Sequence, residues 1–192
     1  MTAGPTQSAA LELGVVVVNY GSSALLREHL HLVVGEHCRR VVVVDNHTTE
    51  AESRALCALA AARGWDVVLQ SDNRGFGAGC NAGARRAAEL GCEMFLMLNP
   101  DAVVTPEVVA ALADQVAGDP AAVVTPTVVR SDGVIWFRGG RLDLATGRTR
   151  TVGRMSGDTV PWLTAACLAV HRVLWERLGG FDERFFLYWE DV

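Results

Sequence analysis

The stretch LGVVVVNY, residues 13–20, decides the fold. Its four consecutive valines are stiff at χ1 and pack well on a pleated surface, so the run reads as a β-strand. It does not alternate with polar residues, so both faces of the strand are covered, which is the habit of parallel strands flanked by helices. The run stops on Asn19-Tyr20. VVVVDN (41–46) repeats the plan, and WDVVLQ (65–70), MFLMLN (94–99) and AAVVTPTVV (121–129) follow it. Helices are expected between them, over roughly 22–34, 50–63, 77–91 and 106–117. The last opens with Thr105-Pro106-Glu107, a cap, a proline at the first helical position and an acid that suits the helix dipole. This alternation predicts an α/β domain with a mostly parallel central sheet and helices on both faces.

Beyond residue 130 the pattern changes. SDGVIWFRGGRLDLATGRTRTVGRMSGD carries glycines and turn pairs and reads as hairpins or a mobile loop. VPWLTAACLAVHR reads as one more strand, followed by a short helix RVLWERLG and the aromatic close GGFDERFFLYWEDV. The expected organisation is a flexible start over 1–12 and one domain over 13–192. Its nucleotide-fold front covers 13–130 and a more irregular rear 131–192.

Composition narrows the function. With 192 residues, half of them apolar, the chain fills one substantial core. A net charge of −5 gives no electrostatic case for nucleic acid. All 17 basic residues are Arg, which excludes a Schiff-base or P-loop lysine. Cys38, Cys57, Cys80, Cys92 and Cys167 lack CxxC spacing and read as reduced core thiols. The first ten residues have no basic or hydrophobic region of a signal peptide, and no apolar run reaches the ~18 residues of a membrane span. A soluble cytoplasmic domain is expected, with peripheral association at the inner face of a membrane left open.

Open α/β sheets bind ligands beyond the carboxyl ends of their strands. Those ends carry Asn19-Tyr20, Asp45-Asn46, Asp72-Asn73-Arg74 and Asn99-Pro100-Asp101, four polar clusters after four apolar runs. NRGFGAGCNAG (73–83) satisfies a relaxed dinucleotide fingerprint through Gly77, Gly79 and Ala82, with Asp101 some twenty residues on. Against a dehydrogenase, that loop follows the third strand rather than the first, and Asp72-Asn73-Arg74 separates strand from glycines. The glycines either let helix and sheet pack closely or let backbone N–H groups, Arg74 and Asn81 approach an anion. Asp45 either starts the next helix or accepts from a base imide or ribose hydroxyl. Asp101 suits Mg²⁺ or Mn²⁺ already holding a diphosphate, because such ions need few protein oxygens, and Asn99 adds a weaker contact. Glu190 and Asp191 follow an aromatic run and are either a solvated acidic end or a general base. His171 reads as a helix-start histidine, and Trp136, Trp162 and Trp175 as core or strand-face residues.

Taken in order, VVVVNYGSS, VVVVDNHTTE, NRGFGAGCNAG, LMLNPDAVV, RGGRLDLATGR, WLTAACLAVHR and LGGFDERFFLYWEDV resemble glycosyltransferase family 2, in its rhamnosyltransferase-like branch, over residues 13–192. The resemblance implies a GT-A fold, a nucleotide-diphosphate sugar donor (dTDP- or UDP-linked), a divalent metal, a hydroxyl acceptor and inversion at the anomeric carbon. By position it makes Asn19, Tyr20 and Asp45 nucleoside contacts, and Asn73, Arg74, Gly75, Gly77 and Asn81 the loop around ribose and diphosphate. Asp101 becomes the last acid of the DxD-type metal motif, with Asn99 in place of the first, and Asp191 the base beside Glu190. The acceptor is expected to be a cell-surface glycan precursor or a natural product. The sequence departs from the family at DNHTTE, at Ala165, where glycine is usual, and in stopping at Val192. That last departure motivates a rival, a non-catalytic nucleotide-sugar-binding module or a fragment needing a partner chain. A sugar nucleotidyltransferase is disfavoured by the missing lysine.

Overall fold

The structure, a computed structural model, describes residues 12–30, 38–151 and 160–192, with backbone alone at 38, 39 and 160. Residues 1–11 of the expected flexible start, 31–34 of the first expected helix, 152–158 of the expected hairpin region and the side chain of Cys38 lie outside the described residues.

In chain order the front runs β1 (Leu13–Asn19), α1 (Ser23–His29), β2 (Cys38–Asp45), α2 (Glu50–Arg63), β3 (Asp66–Leu69), α3 (Phe76–Glu89), β4 (Met94–Leu98) and α4 (Pro106–Gly118). The rear follows with β5 (Val123–Val124), β6 (Val128–Val129), β7 (Ile135–Phe137), β8 (Gly140–Asp143), β9 (Arg148–Thr151), β10 (Val160–Trp162), β11 (Cys167–His171) and α5 (Arg172–Leu178). The main sheet has the order β3-β2-β1-β4-β11-β5. Its first four strands are parallel, and β11 runs antiparallel to both β4 and β5. The mostly parallel sheet predicted from the valine runs is therefore present.

The continuous apolar runs follow from burial on two faces. Leu13, Val15 and Val17 of β1 join Val41, Val43, Leu96 and the helices α1, α2 and α4 on one side. Val16 and Val18 join Val42, Phe95, Met97, Leu168 and α3 on the other. The period of two in a strand makes this division. It also decides where the strand-end residues point. Asn19 and Asp45, paired in register, continue the α1–α2 side. Asn46, one residue later, turns toward α3.

The chain winds outward through β1, β2 and β3, then crosses back to place β4 on the other flank of β1. That reversal makes the carboxyl ends of β1 and β4 the topological switch point, the usual ligand position in such sheets.

Two expected strands are each divided. AAVVTPTVV breaks at Pro126, which has no N–H for a ladder, so β5 stays in the main sheet while β6 pairs with β7. VPWLTAACLAVHR breaks after Trp162, sending β10 to a small sheet with β8 and β9, and β11 to the main sheet. The expected hairpins are β6–β7 and β8–β9. His171 caps α5, its Nδ1 accepting from the Val173 N–H at 3.1 Å. Cys57, Cys80, Cys92 and Cys167 are free thiols. Burial pushes Cys167 up to about 12 and Cys92 to about 11, so both stay protonated and inert.

Candidate active site at the strand ends

At the end of β1, Asn19 is fully enclosed. Its Oδ1 accepts from the Ser22 N–H at 3.0 Å, and its Nδ2 lies 3.4 Å from both Asp45 Oδ1 and Glu52 Oε1. Asp45 is 1% exposed and accepts the Ser53 hydroxyl at 2.5 Å. It does not start α2. Thr49 does, accepting from the Glu52 N–H at 3.2 Å. Glu52 reaches away from its own helix to take the Ser23 N–H and hydroxyl, at 2.8 and 3.1 Å. Asn19 and Asp45 thus belong to a buried polar lattice that fixes the ends of β1 and β2. Tyr20, 56% exposed, is the member of this set that faces outward.

The loop before α3 hangs on Asn46. Its Nδ2 donates to Asn73 Oδ1 (2.8 Å) and to the Gly75 carbonyl (3.1 Å), and its Oδ1 accepts from the Arg74 N–H (3.1 Å). Asn73 Oδ1 also accepts from the Gly75 N–H at 2.9 Å. In the sequence Asn46 stood only as part of a polar strand end, and Glu52 carried no signal. The one available signal was a second amide directly after Asp45 at a strand end.

The glycines of NRGFGAGCNAG make room for neighbouring parts of the chain. A methyl built on Gly79 would stand 2.8 Å from Val18 Cγ1, and one on Gly83 would overlap Val16. These two let α3 sit directly on β1. Gly75, at φ +89°, leaves room for the Phe186 carbonyl, which accepts the Phe76 N–H at 3.1 Å. Gly77 leaves room for Phe181 and Glu190. Asn81 spends both ends of its amide on residues 181 and 183, and Arg74 pairs with Glu183 at 3.0 Å. What approaches the first turn of α3 is this chain's own C-terminal segment. The Arg74–Glu183 pair is half exposed, and pairs of that kind are weak enough to exchange partners.

Asn99 and Asp101 stand at the end of β4. The Asn99 N–H donates to the Ala166 carbonyl at 3.0 Å. Asp101 is exposed and makes no hydrogen bond or ion pair among the described residues. Those residues also contain no cluster of three or more His, Cys, Asp or Glu side chains able to hold a metal. A lone, free, hard oxygen ligand fits Mg²⁺ or Mn²⁺ shared with a diphosphate, and does not fit an all-protein cage.

Asp191 comes to the same edge from the other direction. Its Oδ2 accepts the Ala165 N–H at 2.9 Å. Ala165 is itself buried, so its methyl packs inward. Tyr188 and Trp189 precede the two acids with φ of 64° and 72°, a left-handed pair that non-glycine residues rarely adopt and that clusters at functional sites. Burial pushes the Glu190 carboxyl above its ordinary range, and the Asp191 charge adds to the shift; Glu190 Oε2 is enclosed without a partner among the described residues. The same two charges, after burial, raise the Cys80 thiol. A cavity of about 840 Å³ lies beside them, with Leu168, Val170, Trp175, Leu178 and Phe181 in its walls and Asp191 at its margin.

A carboxyl raised in the fold contributes stability that is complete below its ordinary value near 4.5 and is lost as pH rises through the folded value. Glu190→Gln is therefore expected to flatten the fall in stability above pH 4.5. Urea denaturation of both proteins from pH 4 to 8 checks this, and parallel pH profiles would contradict it.

The fold is of the GT-A type. A mannosyltransferase from Pyrobaculum calidifontis, solved with GDP-Man and Mn²⁺, superposes with a TM-score of 0.65 at 20% identity over 94% of this chain and 50% of its own. TarS residues 1–349 from S. aureus gives 0.61 at 17%, over 94% and 53%. The chain belongs to glycosyl transferase family 2, whose profile matches residues 14–179. Among curated relatives, an N-acetylglucosaminyl-diphospho-decaprenol L-rhamnosyltransferase of Mycobacterium tuberculosis is 27% identical over 94% of this chain and 68% of its own. A low-salt glycan biosynthesis hexosyltransferase of Haloferax volcanii is 24% identical over 94% and 59%. The chain thus spans about three-fifths to two-thirds of these relatives.

Proposed function

We propose that this chain is the catalytic domain of an inverting, metal-dependent glycosyltransferase that moves a sugar from a nucleotide diphosphate to an acceptor hydroxyl. The observation that carries the reading is the pairing at one sheet edge of a free Asp101 and a held Asp191, joined through residues 164–166. Tyr20, with Asn19 and Asp45 behind it, would receive the nucleoside. Arg74 would exchange Glu183 for a diphosphate oxygen, and Asn73 would shape the ribose side. Asp101 would hold the Mg²⁺ or Mn²⁺, with Asn99 beside it; when bound, that ion offsets charge building on the departing diphosphate. Asp191, one oxygen fixed by Ala165 and the other free, would take the proton of the acceptor hydroxyl as it attacks the anomeric carbon.

Rhamnose is the first candidate sugar, dTDP or UDP the candidate carrier, and a lipid-linked glycan precursor the candidate acceptor; the mycobacterial relative supports each of these except the carrier. Work at the cytoplasmic face of a membrane fits the exposed Arg148 and Arg150 on β9 and the exposed Trp136 on β7, which suit an anionic lipid surface. Among the described residues no helix is long and apolar enough to cross the bilayer.

Calorimetric titration with dTDP and UDP, in Mn²⁺ and then in EDTA, tests the donor site. Binding is expected in Mn²⁺, with its heat lost in EDTA and in Asp101→Ala. A folded chain that binds neither nucleotide would sink the reading. Binding without transfer to any acceptor would leave a nucleotide-sugar-binding module.

A further inference from the structure

We infer that Asn81 is a positioning residue for the candidate base rather than a contact to the donor. The inference rests on the reading of Asp191 as the base. Asn81 lies on α3, and its side chain clips the peptide of Phe181 from both sides. Its Oδ1 accepts the Phe181 N–H at 2.9 Å, and its Nδ2 donates to the Phe181 carbonyl at 2.9 Å and to Glu183 Oε1 at 3.1 Å. The amide is buried, and both of its N–H donors are taken, so none is left for a diphosphate oxygen.

The clip is one of three contacts along the same helix. The Phe76 N–H holds the Phe186 carbonyl, and the bare Gly77 backbone lies beneath Phe181 and Glu190. Residues 181–191 therefore follow a template cut into the first half of α3. That helix is seated on β1 and β2 through Gly79 and Gly83, so the segment inherits its place from the centre of the sheet. The partner side is shaped to match. Gly180, at φ +75°, passes so close to Asn81 Oδ1 that any side chain there would collide with it.

Releasing the clip frees the segment at its root. The left-handed pair Tyr188-Trp189 then relaxes, and Asp191 loses the registration that brings it to the Ala165 N–H. A misplacement of about 1 Å at a reacting group costs on the order of a hundredfold in rate.

Asn81→Ala is the test, read by transfer kinetics, nucleotide calorimetry and amide hydrogen exchange on the whole chain. The expected result is a fall in kcat on the order of 10–100-fold. Donor Kd should stay within about twofold, and exchange at the Ala165 N–H should be about tenfold faster, as local opening becomes easier. Gly180→Ala, which presses on the clip from the other side, should move the same three readouts the same way and stands in if Asn81→Ala does not fold. Unchanged kcat with unchanged Ala165 exchange overturns the inference. So does a weakened donor Kd with unchanged exchange, which would make Asn81 a donor contact. If the wild-type chain transfers no sugar, the exchange measurement still decides whether Asn81 holds Asp191, and the failure belongs to the proposed function.

Discussion

Asp191→Asn is expected to lower sugar transfer by about 10²–10⁴-fold, the usual contribution of a general base, while donor binding stays as in the wild type. The substitution is close to isosteric. The asparagine carbonyl can keep the 2.9 Å bond from the Ala165 N–H, and its NH₂ then occupies the position of the free oxygen. Geometry is retained and basicity is lost, which separates chemistry from placement. Donor Kd, measured with Mn²⁺, reports on the Asp101 side and should not move. Retention of more than about a tenth of the activity would remove Asp191 from the role, given the size of effect a base supplies. If Glu190→Gln then abolished transfer, the role would pass to Glu190.

The second large effect concerns stability, and its sign is the test. Gly83→Ala is expected to destabilise the fold by about 2 kcal/mol, in the range of overpacked cores. Alanine is ordinarily the better helix former by about 1 kcal/mol. Here the added methyl would overlap Val16 and stand 3.0 Å from Val44 Cγ2, so α3 must lift from the sheet to admit it. Gly118, at the end of α4, has open space around it, and Gly118→Ala should be neutral or stabilising by up to about 1 kcal/mol. Thermal unfolding of the two variants should show opposite shifts, with Gly83→Ala lower by about 4–8 °C for a chain of this size. Equal shifts would mean that α3 is not seated on β1 as described.

The front of the fold was legible because burial on both faces writes itself into sequence as unbroken apolar runs. VVVV at 15–18 and at 41–44 leaves no polar face, and that alone requires helices on both sides. The rear was less legible because a strand pattern does not say which sheet it joins. Leu163 to Ala166 look as strand-like as their neighbours, yet there the chain passes from the small sheet to the large one. The polar strand ends were correctly placed along one edge by the same logic that placed the strands. Their hydrogen-bond partners within the chain were not legible. Asn19 and Asp45 bond to Ser22, Ser53 and Glu52, and those partners are fixed by the packing of α1 against α2. The glycine run offered two physical explanations that sequence alone cannot separate. Close packing holds for Gly79 and Gly83 against neighbouring strands. For Gly75, Gly77 and Asn81 the approaching group is protein from about 100 residues further along, a distance no local pattern encodes.

The short connection at residues 164–166 ties both candidate chemical groups to adjacent main-chain atoms. The Ala165 N–H holds Asp191, and the Ala166 carbonyl holds the residue that leads into Asp101. On the loop both contacts are main-chain atoms, so neither depends on the identity of the side chains at 165 and 166. Mutation can therefore alter what this loop displays without removing either anchor. Under the proposed function, selection for a new acceptor would act on the surrounding side chains while these two main-chain anchors stay in place.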